Sequence, residues 1–209
     1  MQIKAPKDYG LIANKMKMDY HSEEDLTERL PFELKADDFI YFAELDMKGN
    51  SDKDVVNAVS NIKRAIENRM DCVLFAFNYQ ELSKNWNFPE KMEKLNKLGI
   101  IAPRILKKIN RIRNLLEHQY QIPKKDEVEE AYDVATLFLA YTKNFVKKSV
   151  PQLGYYLVEK SGDKTTEIHV KIIFENDGAK IGINDSEYHV KATDSNFDEW
   201  VKFAIECCY

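Results

Sequence analysis

The sequence predicts an α+β protein. Residues 1–34 read as an N-terminal arm, 35–149 as an antiparallel helical bundle, and 152–209 as a small antiparallel β-meander with a C-terminal helix. Three observations carry this. Between Lys35 and Ser149 apolar residues recur every three or four positions. Near Pro151 the period falls to two. Asn176-Asp177-Gly178 then sits between alternating stretches, a strong hairpin signal.

The arm is mixed and polar, with a short helix expected near Ser22–Leu30, where Ser22 followed by Asp25 makes a passable cap. ADDFIYFAELDMKGN opens with Asp37 and Asp38 and stops at Gly49-Asn50. Phe39, Tyr41, Ala43 and Leu45 alternate as in a strand. Ile40 and Phe42 fill the other face, however, and Ala, Glu and Leu favour a helix. Ser51-Asp52 caps the next segment. There Val55, Val59, Ile62, Ile66, Met70, Val73, Leu74 and Phe77 mark a helix of roughly seven turns. Pro89 suits the first turn of a short helix that ends at Gly99. Pro103 opens another, with Ile105, Ile109, Ile112 and Leu116 inward. After IPKKD, a last bundle helix carries acids at its start and lysines at its end, the order a helix dipole prefers. Short connections imply antiparallel neighbours.

Beyond Pro151, GYYLVEK, TTEIHVKIIFEN, AKIGIND and EYHVKA read as strands. Ser195 is the expected cap of NFDEWVKFAIECC, whose Phe197, Trp200, Val201, Ala204 and Ile205 form one stripe. A sheet with one covering helix is the natural result.

The chain has 209 residues, 32% of them charged, and a formal net charge of -4. That balance excludes a global basic field for nucleic acid, so any such binding needs a local patch. The three cysteines, Cys72, Cys207 and Cys208, have neither zinc nor disulfide-framework spacing. A reducing, cytoplasmic setting follows, with no signal core and no run of the ~18 apolar residues that would span a membrane. No metal ligand set, phosphate loop or dinucleotide fingerprint stands out, so no cofactor and no metal are expected.

Chemistry concentrates in RILKKINRIRNLLEHQY. Arg104, Lys107, Lys108, Arg111 and Arg113 form a basic stripe without an acid in an otherwise acidic chain. Such a stripe can hold phosphates; it can equally be a solvated helix face. Asn114 and His118 are (i, i+4), as are Arg113 and Glu117. Arg113 and His118 lie about 140° apart on an ideal helix. They meet only if the helix unwinds near Glu117 or two copies pack with these ends facing. Arg presents a fixed fork to phosphate oxygens, and His exchanges a proton near neutral pH. RNA carries its own nucleophile, the 2′-hydroxyl, so this pair could cleave it without a metal. The blander alternative is a His partnering a helix dipole, with Glu117 paired to Arg113 and Tyr120 in the core.

The pattern Arg113-Asn114-x3-His118-x-Tyr120, at the end of a bundle helix, resembles the signature of the HEPN superfamily. The segment FAELDMKGNSDKDVVNAVSNIKRAIENRMDCVL resembles the first helices of HEPN bundles, and the resemblance covers about residues 35–149. It implies a metal-independent endoribonuclease acting as a homodimer in a toxin–antitoxin or defence setting. In such enzymes the Arg and His of two copies line one cleft. Attack by the 2′-hydroxyl leaves a 2′,3′-cyclic phosphate and a 5′-hydroxyl. His118 would be the acid/base group, Arg113 the stabiliser of developing charge, and Asn114 the residue orienting substrate or His118. Tyr120 holds the place modified in some toxin pairs, so a cognate antitoxin or defence-complex partner is implied. Some members only bind, so a non-catalytic interaction module and an RNA or nucleotide sensor are the alternatives.

Among other residues, Asn57, Asn61, Lys63 and Arg64 mark a polar face of the long helix, and Asn61 is a candidate to face the motif. His21, His169 and His189 read as exposed. Tyr155, Tyr156, Tyr188 and Trp200 either stack bases or, as favoured here, fill a small core.

Overall fold

The computed structural model describes residues 3–100, 111, 114, 121–161 and 164–208. Within them the chain is α+β, with a five-stranded antiparallel sheet.

Helix α1, Ala36–Met47, begins where the Asp38 carboxylate accepts the Lys35 backbone N–H at 2.8 Å. The helical choice for ADDFIYFAELDMKGN is borne out over Ala36–Met47. Helix α2, Asp52–Ala76, starts with a reciprocal cap. The Asp54 N–H donates to Ser51 Oγ, and the Ser51 N–H donates to Asp54 Oδ2 at 2.9 Å. That cap fixes Gly49, because a Cβ there would stand 2.2 Å from Asp54 Oδ2. The α2 stripe is buried at Val59, Ile62, Ile66, Met70, Val73 and Leu74. A single turn, α3 (Gln80–Ser83), precedes α4 (Phe88–Lys97), which Asn87 and Glu90 cap reciprocally. Gly99 then takes a left-handed φ of 81°, which a side chain would oppose. Helix α5 spans Lys125–Lys147 and buries Val128, Ala135, Phe138, Leu139 and Phe145. It runs antiparallel to α1: Asp46 near the end of α1 and Lys125 at the start of α5 line one cavity. Arg69 of α2 donates to Leu139 O, far along α5, and lies 3.5 Å from Asp37 at the start of α1.

The sheet comprises β1 (Lys17–Glu24), β2 (Ser149–Ser161), β3 (Lys164–Glu175), β4 (Gly178–Ile183) and β5 (Ser186–Lys191), each paired with the next. Its central face buries Leu153, Tyr155, Val170, Ile172, Ile181 and Val190. Asn176 and Asn184 take φ of 53° and 50° in the two tight turns, a conformation Asn tolerates better than most residues. Helix α6, Phe197–Cys208, supplies the apolar stripe of Phe197, Trp200, Val201 and Ala204.

Two expectations are corrected. No helix forms over 22–30: Ser22 lies in β1, and only Leu26–Glu28 makes a 3-10 turn, capped by Asp25. Backbone pairing with β2 outweighs the weak cap signal, because Lys17–Glu23 are exposed and offer no apolar helical face. At the other end Asn196, rather than Ser195, precedes α6, for its carbonyl accepts the first helical bond, from Trp200 N–H.

Helices and sheet share one core. Phe77, after α2, meets Phe145 of α5 and Phe174 of β3 edge-on, with centroids 6.0 and 5.5 Å away. The N-terminal residues are tied in as well. Trp200 Nε1–H donates to Lys4 O at 3.0 Å, and Asn196 Nδ2–H to Ile3 O at 2.6 Å. No helix among the described residues is long and apolar enough to cross a membrane.

Candidate functional site

Arg104, Lys107, Lys108, Arg113, His118 and Tyr120 lie outside the described residues. Arg111 and Asn114 are described, and both are helical. Arg111 is exposed and Asn114 half-buried. Three positions apart, they share a helix face.

Asn61 is half-buried on α2. Its Nδ2–H donates to Asp46 Oδ2 of α1 at 2.9 Å, and its Oδ1 accepts from Arg64 Nη1–H at 3.3 Å. The amide therefore orients a carboxylate. That carboxylate lines a cavity of about 180 Å³ between the α1–α2 turn and the first turn of α5. Met47, Val55 and Val128 form its apolar wall, and Lys125 brings an ammonium. A carboxylate held by an amide, beside a cation that can meet phosphate, is a usable polar pair in a partly apolar recess. Lys125 follows Tyr120 closely in the chain, so this recess abuts the end of the motif segment in sequence. Asp46 and Lys125 were not singled out from the sequence. Nothing in their local pattern distinguishes them from other charged residues at helix ends.

A second polar cluster joins the helices to α6. Asp198 accepts from Tyr79 Oη–H at 2.5 Å, Lys94 Nζ at 2.7 Å and Lys97 Nζ at 2.6 Å. Lys94 also lies 4.8 Å from the centre of the Tyr79 ring. Burial works to raise the Asp198 pKa. The hydrogen bonds from Lys94, Lys97 and Tyr79 outweigh it and hold the carboxyl below its ordinary value. Burial, then the Asp198 hydrogen bond and charge, push the Tyr79 phenol far above the usual tyrosine range. The hydroxyl stays a donor and the carboxylate an acceptor, so the cluster is a fixed brace.

The aromatic residues of the sheet divide. Trp200 is fully buried, and Tyr155 is buried with its hydroxyl 2.9 Å from Cys208 Sγ. Tyr188 is half-buried against the core. Only Tyr156 reaches the open face, beside exposed His169, with ring centroids 6.3 Å apart. Core filling thus accounts for three of the four. His21 and His189 are exposed too. Among the described residues no group of three His, Cys, Asp or Glu side chains could hold a metal ion.

Comparison of the chain with protein-family models, with curated proteins and with solved structures found no match.

Proposed function

We propose that this chain is a metal-independent endoribonuclease of HEPN type that cleaves RNA by attack of the 2′-hydroxyl on the adjacent phosphate. The observation that carries the reading is Arg113-Asn114-x3-His118-x-Tyr120 at the end of a stripe of five Arg and Lys residues without an acid. An invariably charged fork and a group that titrates near neutrality are what this reaction requires. His118 takes the proton of the 2′-hydroxyl or gives one to the leaving 5′-oxygen. Arg113 stabilises the charge that builds on the phosphoryl oxygens. Arg104, Lys107, Lys108 and Arg111 hold the flanking phosphates. Asn114 orients His118 or substrate, and Asn61 positions Asp46 at the neighbouring recess. The exposure of Arg111 and the half-buried place of Asn114 support the reading. So does the order of helices α1, α2, α4, motif segment and α5.

In this proposal the protein works as a homodimer whose two motif segments share one cleft. It acts in a toxin–antitoxin or defence setting, with a cognate antitoxin or defence-complex partner. The chemistry is tested by comparing ribose RNA with the same sequence carrying 2′-O-methyl groups throughout. Products with 2′,3′-cyclic phosphate and 5′-hydroxyl ends from the first substrate, and none from the second, are expected. Equal cleavage of both, or 5′-phosphate ends, rejects a 2′-hydroxyl nucleophile.

A further inference from the structure

The recess between the α1–α2 turn and the first turn of α5 holds two opposite charges that do not meet. Asp46 and Lys125 both line it, yet neither forms an ion pair among the described residues. Asp46 is half-buried, and its carboxylate is held in one orientation, because Asn61 Nδ2–H donates to Oδ2 at 2.9 Å. Asn61 is fixed in turn by Arg64, whose Nη1–H reaches its Oδ1 at 3.3 Å. Asp46 Oδ1 accepts no hydrogen bond among the described residues. A partly desolvated carboxylate with an open oxygen is stabilised by any donor that enters beside it.

The remaining lining is apolar. Ala58 and Val128 are buried there, and Met47 and Val55 are half-buried. Such walls suit a flat ring. At about 180 Å³ the recess is smaller than the roughly 300 Å³ at which most ligand sites begin. It takes one ring system and leaves the rest of a larger ligand outside. Lys125 is exposed, so an anionic tail at the mouth meets its ammonium.

A flat, donor-bearing ring with an anionic tail describes a nucleotide. Among the RNA bases guanine alone presents two adjacent donors, N1–H and the N2 amino group, which match the paired oxygens of a carboxylate. Each carboxylate oxygen has two lone pairs, so Oδ2 can serve Asn61 and the base together. Adenine and cytosine set an acceptor beside their amino group, and uracil flanks its N3–H with two carbonyls. Each of these turns a negative atom toward Asp46. Asn50 also lines the recess, and its amide can donate to guanine O6.

We propose that this recess reads a guanine base of single-stranded RNA. Asp46 accepts from N1–H and the N2 amino group, Asn61 holds Asp46 in place, and Lys125 meets the adjoining phosphate. The inference rests on the reading of the chain as a ribonuclease and adds the base that it selects.

The test is fluorescence anisotropy of the full chain with labelled RNA pentamers carrying 2′-O-methyl groups throughout, which cannot be cut by 2′-hydroxyl attack. The pentamers have uridine at every position except the centre, which is G, A, C or U. The guanine pentamer should bind about tenfold more tightly than the others. Asp46→Asn keeps the bond from Asn61 and replaces an acceptor with a donor. It should weaken the guanine pentamer alone, by about tenfold, and so erase the preference. Lys125→Ala should weaken all the pentamers by about threefold without changing their order. Val55→Phe fills the recess without altering its charge and should also erase the preference; it decides alone should Asp46→Asn fail to fold by circular dichroism. Equal binding of the pentamers, no binding of any, or a guanine preference that survives these two variants would each overturn the proposal. A guanine preference in a chain that never cuts ribose RNA would sink the nuclease reading alone. Cleavage of ribose RNA with no base preference in binding would sink the guanine reading alone.

Discussion

Replacing Asp198 with Ala removes the acceptor that braces Tyr79, Lys94 and Lys97 against α6. Tyr79 is fully buried, and the Asp198 side chain is 11% exposed. Stranding the Tyr79 hydroxyl costs about 1 to 2 kcal/mol. Lys94, 18% exposed, loses a charged hydrogen bond worth about 1.5 to 3 kcal/mol. Lys97 is 64% exposed, so solvent screens it and its share stays below about 1 kcal/mol. The variant should therefore lose about 3 kcal/mol in urea unfolding, and its midpoint should fall by about 6–12 °C on heating. Asp198→Asn keeps an acceptor but not the charge, and should lose about half as much. The pH dependence has a fixed sign. The folded carboxyl titrates below its ordinary value of 3.8. Its stabilisation is complete above that value and disappears as pH falls through the depressed folded pKa. The difference between wild type and Asp198→Asn should be flat near neutrality and shrink below pH 3.8. A loss under about 1 kcal/mol for Asp198→Ala, or a difference that grows in acid, would refute the reasoning.

Other consequences follow from single contacts. Gly178→Ala drives a Cβ into the Val190 carbonyl and should cost at least about 2 kcal/mol. Gly154→Ala first meets the Tyr20 ring, which is 38% exposed and held by one exposed bond from Gln152 Nε2–H at 3.3 Å, so the ring can give way and the change should cost under about 1 kcal/mol. Equal losses in urea unfolding would contradict this account of the sheet. Arg69→Ala removes a buried link between α2, Leu139 O and Asp37 and should cost about 2 to 3 kcal/mol. Asp37→Asn, on a residue whose side chain is 74% exposed, should be nearly silent. Burial raises the Cys72 pKa from 9.0 to about 12. Its contribution to stability is intact below pH 9.0 and is lost as pH rises toward about 12. The stability gap between wild type and Cys72→Ala should therefore narrow across that interval.

The elements most legible from sequence were those whose periodicity is local. The α2 stripe from Val59 to Leu74, the Asn176-Asp177 turn and the alternation of Ile168 to Phe174 each announce themselves within a few residues. Strand β1 did not, because KMDYHSEE has no apolar face to alternate and joins the sheet through its backbone at an exposed edge. Its pairing partners lie more than a hundred positions away, beyond any local pattern. The same distance hid the Tyr79–Asp198 brace, 119 positions apart in sequence. The bond of Asn61 to Asp46, only 15 positions apart, was hidden for another reason: it joins two different helices, and spacing along α2 pointed that amide elsewhere. Of the candidate site, Arg113 and His118 were legible as chemistry because Arg and His carry their reactivity in their side chains. Asp46 and Lys125 gain meaning only from the recess between helices.

The central claim is tested most directly by incubating purified protein with end-labelled transfer and messenger RNA in EDTA, beside His118→Ala shown to be equally folded and of equal oligomeric state. The account predicts cleavage by the wild type, with loss of about 100-fold or more in the variant, as expected for a general acid–base group. Equal cleavage by both, or none by the wild type across the panel, would contradict it.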